Sequence, residues 1–254
     1  MQVLRLKKTI IYGPVNSRRL RRSLGVNLSP TRYKVCSFNC VYCHYGWTKY
    51  LTSDLSDFKN ELPEPEDVKK ALENFLQKKI KIDYITFSGD GEPTLHPDFE
   101  KIVDLVIEIK NKFSPHTKIA LLSNSSTLDK KEVIDALKKV DLPILKLDCG
   151  NEETFKKVNR PCSLISFDQI VENLKNVGDI VIQTMLVDGE NGNVKQKDID
   201  DWIEKIGMIK PRWVQLYSLE NPPADGSLGG VGKNKLEKIA KQTEKKTGVK
   251  VEVY

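Results

Sequence analysis

Cys36, Cys40 and Cys43 crowd into one short window, with three residues between the first pair and two between the second. Thiolates are soft ligands, so a close trio points to a soft metal centre. A structural zinc site takes four ligands, commonly from two close cysteine pairs. No second Cys-x-x-Cys is present, and His44, which directly follows Cys43, is awkwardly placed to close on the same ion. Three close thiolates suit an iron–sulfur cluster better. Most such clusters take four cysteines. A cluster held by three keeps one iron open, and an open coordination position is what reactivity requires.

Other residue groups offer ligand chemistry of their own. The loop Ser88-Gly-Asp-Gly-Glu-Pro-Thr94 carries two glycines, Gly89 and Gly91, that permit close backbone approach to a ligand, with Asp90 between them. Glu92 offers a carboxylate for a ligand ammonium, and Pro93 suits a helix start. Taken alone, the loop reads as a tight turn. Leu122-Ser-Asn-Ser-Ser126 brings two short polar side chains, Ser123 and Asn124, to a strand end. Lys146 and Asp148 alternate with Leu145 and Leu147, so they share a face. A charged pair on an inward face is costly unless paired or functional. Lys146, Asp148 and Cys149 are therefore the catalytic candidates. Gln183 is a further inward polar residue, and Tyr217 closes the last apolar run. Cys149 and Cys162 are by default free buried thiols, and two cysteines do not hold a second cluster. Arg18, Arg19, Arg21 and Arg22 precede the cysteine window. Guanidiniums bind phosphates in fixed forks, which fits RNA. Arg18 and Arg19 equally fit bracing a sheet edge through Glu92 or Asp90.

These groups need a scaffold. The 254 residues are 39% hydrophobic and 30% charged, which describes a globular chain able to bury a core. Five cysteines, three of them crowded, argue against a disulfide framework and for a reducing cytoplasm. Met1–Tyr12 lacks the apolar core of a signal peptide, and no run is long and apolar enough to span a membrane. The net charge of +6 suits an anionic partner or serves solubility alone. Periodicity predicts strands over 23–28, 82–87, 118–122, 143–148, 180–187 and 213–219, with a tail strand over 249–253. It predicts helices over 65–78, 98–113, a segment capped by Asp129 and running through 140, 167–176, 199–207 and 233–246. The lysines of the last helix form a solvated face. Alternating strands and helices predict a parallel sheet. Six units are too few for an eight-fold barrel, so an open, partial (β/α)6 barrel follows. It forms one α/β domain over 1–254, with its core over about 12–225 and a C-terminal helix and strand over 226–254. Barrels of this type place their chemistry on loops after the strands' C-terminal ends, where each of the motifs above falls.

The Cys-x3-Cys-x2-Cys spacing, with Tyr42 just before the last cysteine, resembles the signature of the radical S-adenosylmethionine (SAM) superfamily. That resemblance implies a [4Fe–4S] cluster on Cys36, Cys40 and Cys43, with SAM at the fourth iron. Reduction then cleaves SAM to methionine and a 5′-deoxyadenosyl radical. The fold it implies is the same open barrel. Tyr42 would lie over the adenine. The loop Gly89–Pro93 resembles the superfamily's Gly-Gly-Glu-Pro motif, which holds the methionine amine, with Asp90 where the first glycine is usual. Ser123 and Asn124 would meet the ribose or carboxylate of SAM, and Asp148, Gln183 and Tyr217 would be further cofactor contacts. The cluster needs an outside electron, so a ferredoxin or flavodoxin partner is implied.

Several segments resemble one branch, the iron–sulfur oxidoreductases related to the wyosine synthase of tRNA. They are Tyr12-Gly-Pro-Val-Asn-Ser-Arg-Arg-Leu20, Ser23-Leu-Gly-Val-Asn27, Gly91-Glu-Pro-Thr-Leu-His-Pro97, Asn159-Arg-Pro161, and Gln215-Leu-Tyr217 leading to Pro222-Pro223. Arg21 stands where that branch has glycine. Wyosine synthase also uses a second cluster and a longer N-terminal region, for which this chain has neither the cysteines nor the length. The expected activity is radical SAM modification of an RNA base, tRNA first, or of a small metabolite. The tRNA contact would run through Arg18, Arg19, Arg21 and Arg22. The alternatives are a scaffold protein that keeps the cluster without SAM turnover, a radical SAM enzyme acting on a peptide or protein, and a zinc-binding RNA module. The zinc module leaves the Glu92 loop without a purpose.

Overall fold

A computed structural model describes residues 3–254; Met1 and Gln2, part of the expected N-terminal segment, lie outside the described residues. Eight strands form one sheet: β1 (Ile11–Ser17), β2 (Arg21–Val26), β3 (Tyr84–Phe87), β4 (Lys118–Ser123), β5 (Leu142–Lys146), β6 (Val181–Met185), β7 (Trp213–Tyr217) and β8 (Val251–Val253). Their spatial order is their chain order. β1 and β2 are an antiparallel hairpin, and every later neighbour is parallel. Parallel neighbours require crossovers. These contain α1 (Pro65–Leu76), α2 (Phe99–Phe113), α3 (Lys131–Leu137), α4 (Glu152–Val158), α5 (Phe167–Val177), α6 (Gln196–Ile209) and α7 (Lys233–Thr247). Six β/α units run from β2 to α7. β1 extends the sheet at one edge and β8 at the other, and the sheet curls into an open half-barrel.

The two faces differ in chemistry. Outward residues such as Leu24, Ile85, Phe87, Leu121, Ile182 and Leu216 join the main core with the helices. α2, for example, buries Phe99, Ile102, Val103, Val106 and Ile109, the spacing of one helical stripe. Phe99 meets Phe87 edge to face, with ring centroids 5.5 Å apart. The concave face has only a small apolar cluster, built on Leu20, Ala120, Leu142, Ile144 and Val181. Toward the strands' C-terminal ends this face becomes polar: Thr86, Lys146, Gln183 and Gln215 belong to the same alternating rows.

Two elements lie outside the sequence expectation. β1 has a broken pattern: Gly13-Pro14 interrupts it, the register shifts between Tyr12 and Val15, and four of its seven residues are exposed. A proline-containing strand belongs at a sheet edge, where β1 lies. α4 is only seven residues long, too short for a periodic signal, and Asn151 caps it by accepting from Thr154 N. The expected Asp129 cap is corrected. The N-cap of α3 is Lys130, and no side chain caps that end. The last helix turns its lysines outward and buries Leu236, Ile239, Ala240 and Thr243, as expected.

Candidate active site

The cysteine window begins just past β2. Val35–Cys36 pairs with Tyr50–Leu51, which fixes the base of the loop. Val41 N donates to Val158 O at 2.9 Å, and Asn39 N to Asn159 O at 3.0 Å, so the far side rests on the end of α4. All five cysteines are free thiols. Each cysteine of the trio receives a nitrogen donor. Lys34 Nζ lies 3.0 Å from Cys43 Sγ, Asn124 Nδ2 lies 3.7 Å from Cys36 Sγ, and Asn159 Nδ2 lies 3.5 Å from Cys40 Sγ. Burial pushes Cys36 up to about 12 and Cys40 up to about 11, so these thiols need a metal to become thiolates. Among the described residues no three His, Cys, Asp or Glu side chains converge on a single ion.

The Glu92 loop follows β3. Its glycines pack against protein, not open space: a Cβ on Gly89 would come within 2.1 Å of Asn27 Oδ1, and one on Gly91 within 2.2 Å of Val35 O. Close packing thus also demands glycine at both positions, while Gly89 lines the cavity described below. Glu92 accepts from Thr94 Oγ1 at 2.6 Å and from Asn124 N at 2.5 Å. It is buried, with no ion-pair partner among the described residues, and burial raises its pKa. Asp90 is fully buried. Its Oδ2 accepts from Lys7 N at 2.5 Å, while its Oδ1 has no partner. Burial pushes it up to about 6, against the opposing pull of Lys7 and Lys34. Two buried carboxylates short of cations suit a ligand ammonium. Ser123 and Asn124 lie beside this loop, and Asn124 Nδ2 donates to Ser37 Oγ at 2.8 Å.

Across the barrel a polar chain links the strand ends. Asp148 accepts from the Tyr42 hydroxyl, from Asn159 Nδ2 at 2.8 Å and from Met185 N at 2.8 Å. Lys146 Nζ lies 3.4 Å from Asp148 Oδ1, 3.2 Å from the Tyr217 hydroxyl and 5.1 Å from the Tyr42 ring centre. The Asp148 charge raises the Lys146 pKa despite burial, so the lysine stays protonated. A cavity of about 470 Å³ opens here, lined by Arg19, Tyr42, Cys43, Lys146, Gln183 and Tyr217 among others. Asp148 is not in its wall: its oxygens are taken up in holding Tyr42, Asn159 and Lys146.

Cys149 is corrected as a catalytic candidate. It belongs to the buried core and is not among the residues lining the cavity, it lies 3.5 Å from Asn159 Oδ1, and burial raises its pKa well above the ordinary thiol value. The four arginines do not form one patch, because the β1–β2 turn splits them. Arg18 pairs with Glu220, after β7, and Arg22 with Asp83, just before β3. Arg19 turns inward to Gln183 and Gln215. Arg21 faces a second cleft at the strands' N-terminal ends, whose wall Arg19 also shares. Neither Arg18 nor Arg19 reaches Glu92 or Asp90. Sequence reading missed Lys34 and the linking role of Asn159, since neither has a periodic signal; their significance comes from what folds against them.

Residues 31–203 match the model of the Radical SAM superfamily. This chain belongs to the radical SAM superfamily. It is 31% identical to a GTPase Obg of Brachyspira hyodysenteriae over 98% of its own length and 35% of that protein's. It is 32% identical to a UPF0026 protein of Methanocaldococcus jannaschii, over 85% of its length and 65% of that protein's. This radical SAM chain thus spans about a third and just under two thirds of these two relatives. A more distant relative is the S-adenosyl-L-methionine-dependent tRNA 4-demethylwyosine synthase of Oryza sativa subsp. japonica, 21% identical over 71% of this chain and 29% of that enzyme. The fold is shared with a radical SAM methyltransferase from Sphaerobacter thermophilus (TM-score 0.64, 14% identity, 91% of this chain and 65% of that one). It is shared also with TYW1 carrying a lysine-pyruvate adduct (TM-score 0.63, 16% identity, 91% and 76%). Radical SAM proteins use a [4Fe–4S] cluster and SAM. The residues here fit both: the three cysteines share one loop and each receives a nitrogen donor, with Cys43 in the cavity wall, and Asp90 and Glu92 are buried carboxylates in the loop whose Gly89 also lines that cavity.

Proposed function

We propose that this radical SAM protein is an enzyme that cleaves SAM reductively to modify an RNA base, with tRNA as the favoured substrate. The observation that carries the reading is the single cavity bounded by Cys43 and Tyr42 on one wall and by the inward residues Lys146, Gln183 and Tyr217 on the other. In this reading Cys36, Cys40 and Cys43 hold the cluster. When bound and reduced, the cluster supplies the electron that splits SAM into methionine and a 5′-deoxyadenosyl radical. Glu92 accepts the methionine ammonium, with Asp90, Gly91 and Pro93 shaping its loop. Ser123 and Asn124 present hydroxyl and amide groups to the polar end of SAM. The Tyr42 ring, fixed through its hydroxyl by Asp148 and Asn159, gives the adenine a flat apolar wall. A ferredoxin or flavodoxin is the proposed electron donor. The choice of RNA is supported by the likeness to wyosine synthase in both sequence and fold.

The test is anaerobic reconstitution with iron and sulfide, reduction, and assay for 5′-deoxyadenosine formed from SAM, with and without tRNA. Product is expected in the wild type and none in Cys40→Ala, whose iron content should also drop. A fully loaded, reduced protein that forms none, with tRNA present, would overturn the enzymatic reading in favour of a structural cluster.

A further inference from the structure

Arg19 is the one arginine of its run that the hairpin turns into the barrel. Its Nη1 donates to Gln183 Oε1 at 2.9 Å and to Gln215 Oε1 at 3.2 Å. Its guanidinium lies over the Tyr217 ring, 4.5 Å from the centre. The Tyr217 hydroxyl donates to Gln183 Oε1 at 3.3 Å and accepts from Lys146 Nζ at 3.2 Å. Two cations are thus tied into one framework by neutral groups. Among the described residues no carboxylate pairs with Arg19, and its Nε and Nη2 have no hydrogen-bond partner. The nearby acids are committed elsewhere: Glu220 to Arg18, Asp83 to Arg22, and Asp148 to four donors. A guanidinium held by one nitrogen keeps the rest of its fork for an anion, and a planar fork matches a carboxylate or phosphate.

We propose that this inner wall is an anion receptor: Arg19, with Lys146 beside it, grips a carboxylate or phosphate on the molecule that reacts. The assignment of that anion to a reactant rests on the function proposed above; the receptor itself rests on the Arg19 geometry. Gln183 and Gln215 lie two positions before the last residues of β6 and β7, so Arg19 sits about one strand repeat deeper than the loops bearing Glu92 and Asn124. The anion's place is therefore deeper in the same cavity than the loops given to the methionine end of SAM. Gln183 and Tyr217 become positioning residues for the cations. The anion has two chemical sources, the phosphate flanking an inserted nucleotide or the carboxylate of a small co-substrate.

The experiment is calorimetric titration of the cluster-loaded protein with inorganic phosphate and with pyruvate, each with and without saturating SAM. At least one anion is expected to bind, and to bind equally with SAM present. Arg19→Gln should weaken it tenfold or more, at unchanged iron content and melting temperature, and Arg19→Lys should recover part of the loss. Phosphate binding alone assigns the site to a nucleotide; pyruvate binding assigns it to a carboxylate. Should Arg19→Gln not fold, Gln183→Glu places a carboxylate against the guanidinium and should suppress binding in the same way. Binding of neither anion, equal binding by the variants, or displacement of the anion by SAM overturns the proposal. No turnover is read, so a failure of SAM cleavage leaves this result separate.

Discussion

At Lys34 the chain buries an ammonium against Cys43 Sγ and the Gly46 carbonyl, 3.0 and 2.9 Å away, and its charge also acts on Cys36 and Cys40. A fixed cation beside a cluster makes the added electron less costly, because net charge is one of the terms that set a cluster's potential. With an effective dielectric near 20, one charge about 4 Å away is worth about 4 kcal/mol. Lys34→Met should therefore move the cluster's midpoint potential negative, by on the order of 100 mV. Redox titration followed by electron paramagnetic resonance reads this directly; an unmoved potential would reduce Lys34 to a packing role. Asp90 carries a different prediction. Its folded pKa, about 6, is raised from the ordinary value of 3.8 by burial. The folded chain thus holds a proton that the unfolded chain has lost between about pH 4 and pH 6, and stability falls as pH rises through that window. Lys7 and Lys34 oppose the shift without cancelling it. Asp90→Asn should melt higher than wild type at pH 8 in the metal-free protein, with the gap closing toward pH 4. A gap independent of pH would mean that Asp90 is ionised without cost, held by Lys7 and Lys34.

At the scale of elements, the functional loops are held by packing that leaves no room for growth. The Glu92 loop presses on the cysteine loop at Gly91, where an added methyl group would meet the backbone carbonyl of Val35 rather than a flexible side chain. Gly91→Ala must push the two loops apart, at a cost of about 1–3 kcal/mol. Both thermal stability and SAM affinity should fall, whereas an exposed control, Gly226→Ala, has open space and should change neither. Long periodic elements such as α2 and β4 were legible because apolar stripes and alternation reach over many residues. β1 and α4 were not: one is interrupted by Gly13-Pro14 and the other is two turns long. Yet these two elements shape the site. The β1–β2 turn delivers Arg19 to the barrel interior, and the end of α4 supports the cysteine loop through Asn159. The Cys trio and the Glu92 loop were legible as local motifs. The partners of Lys34, Asn159 and Arg19 were not, because long-range contacts decide them.

For the whole molecule, the question is where a polyanion would lie on a chain of net charge +6. Sequence proximity suggested one patch at Arg18–Arg22, and the fold divides it. The remaining concentration of charge is a cleft of about 690 Å³ at the strands' N-terminal mouth, where Arg21 joins Lys79, Lys81 and Lys118. Arg21 and Lys79 both hold left-handed backbone conformations, with φ of 52° and 53°, so tight turns set them at the cleft's edge. The acid in this wall, Asp83, already pairs with Arg22. Phosphate contacts made there would release counterions, and each would steepen the salt dependence of binding by about 0.7–0.9 in logarithmic slope. If tRNA is the substrate, the triple change Arg21→Glu, Lys79→Glu, Lys81→Glu should weaken tRNA binding and flatten that slope by about two units or more. The cluster and its cavity lie at the opposite ends of the same strands, so iron content and SAM cleavage without RNA should be untouched. Filter-binding or fluorescence titration across a salt series checks the prediction. An unchanged slope would exclude this mouth as the RNA-binding face and leave the inner wall, with Arg19 and Lys146, as the place where an anionic substrate is recognised.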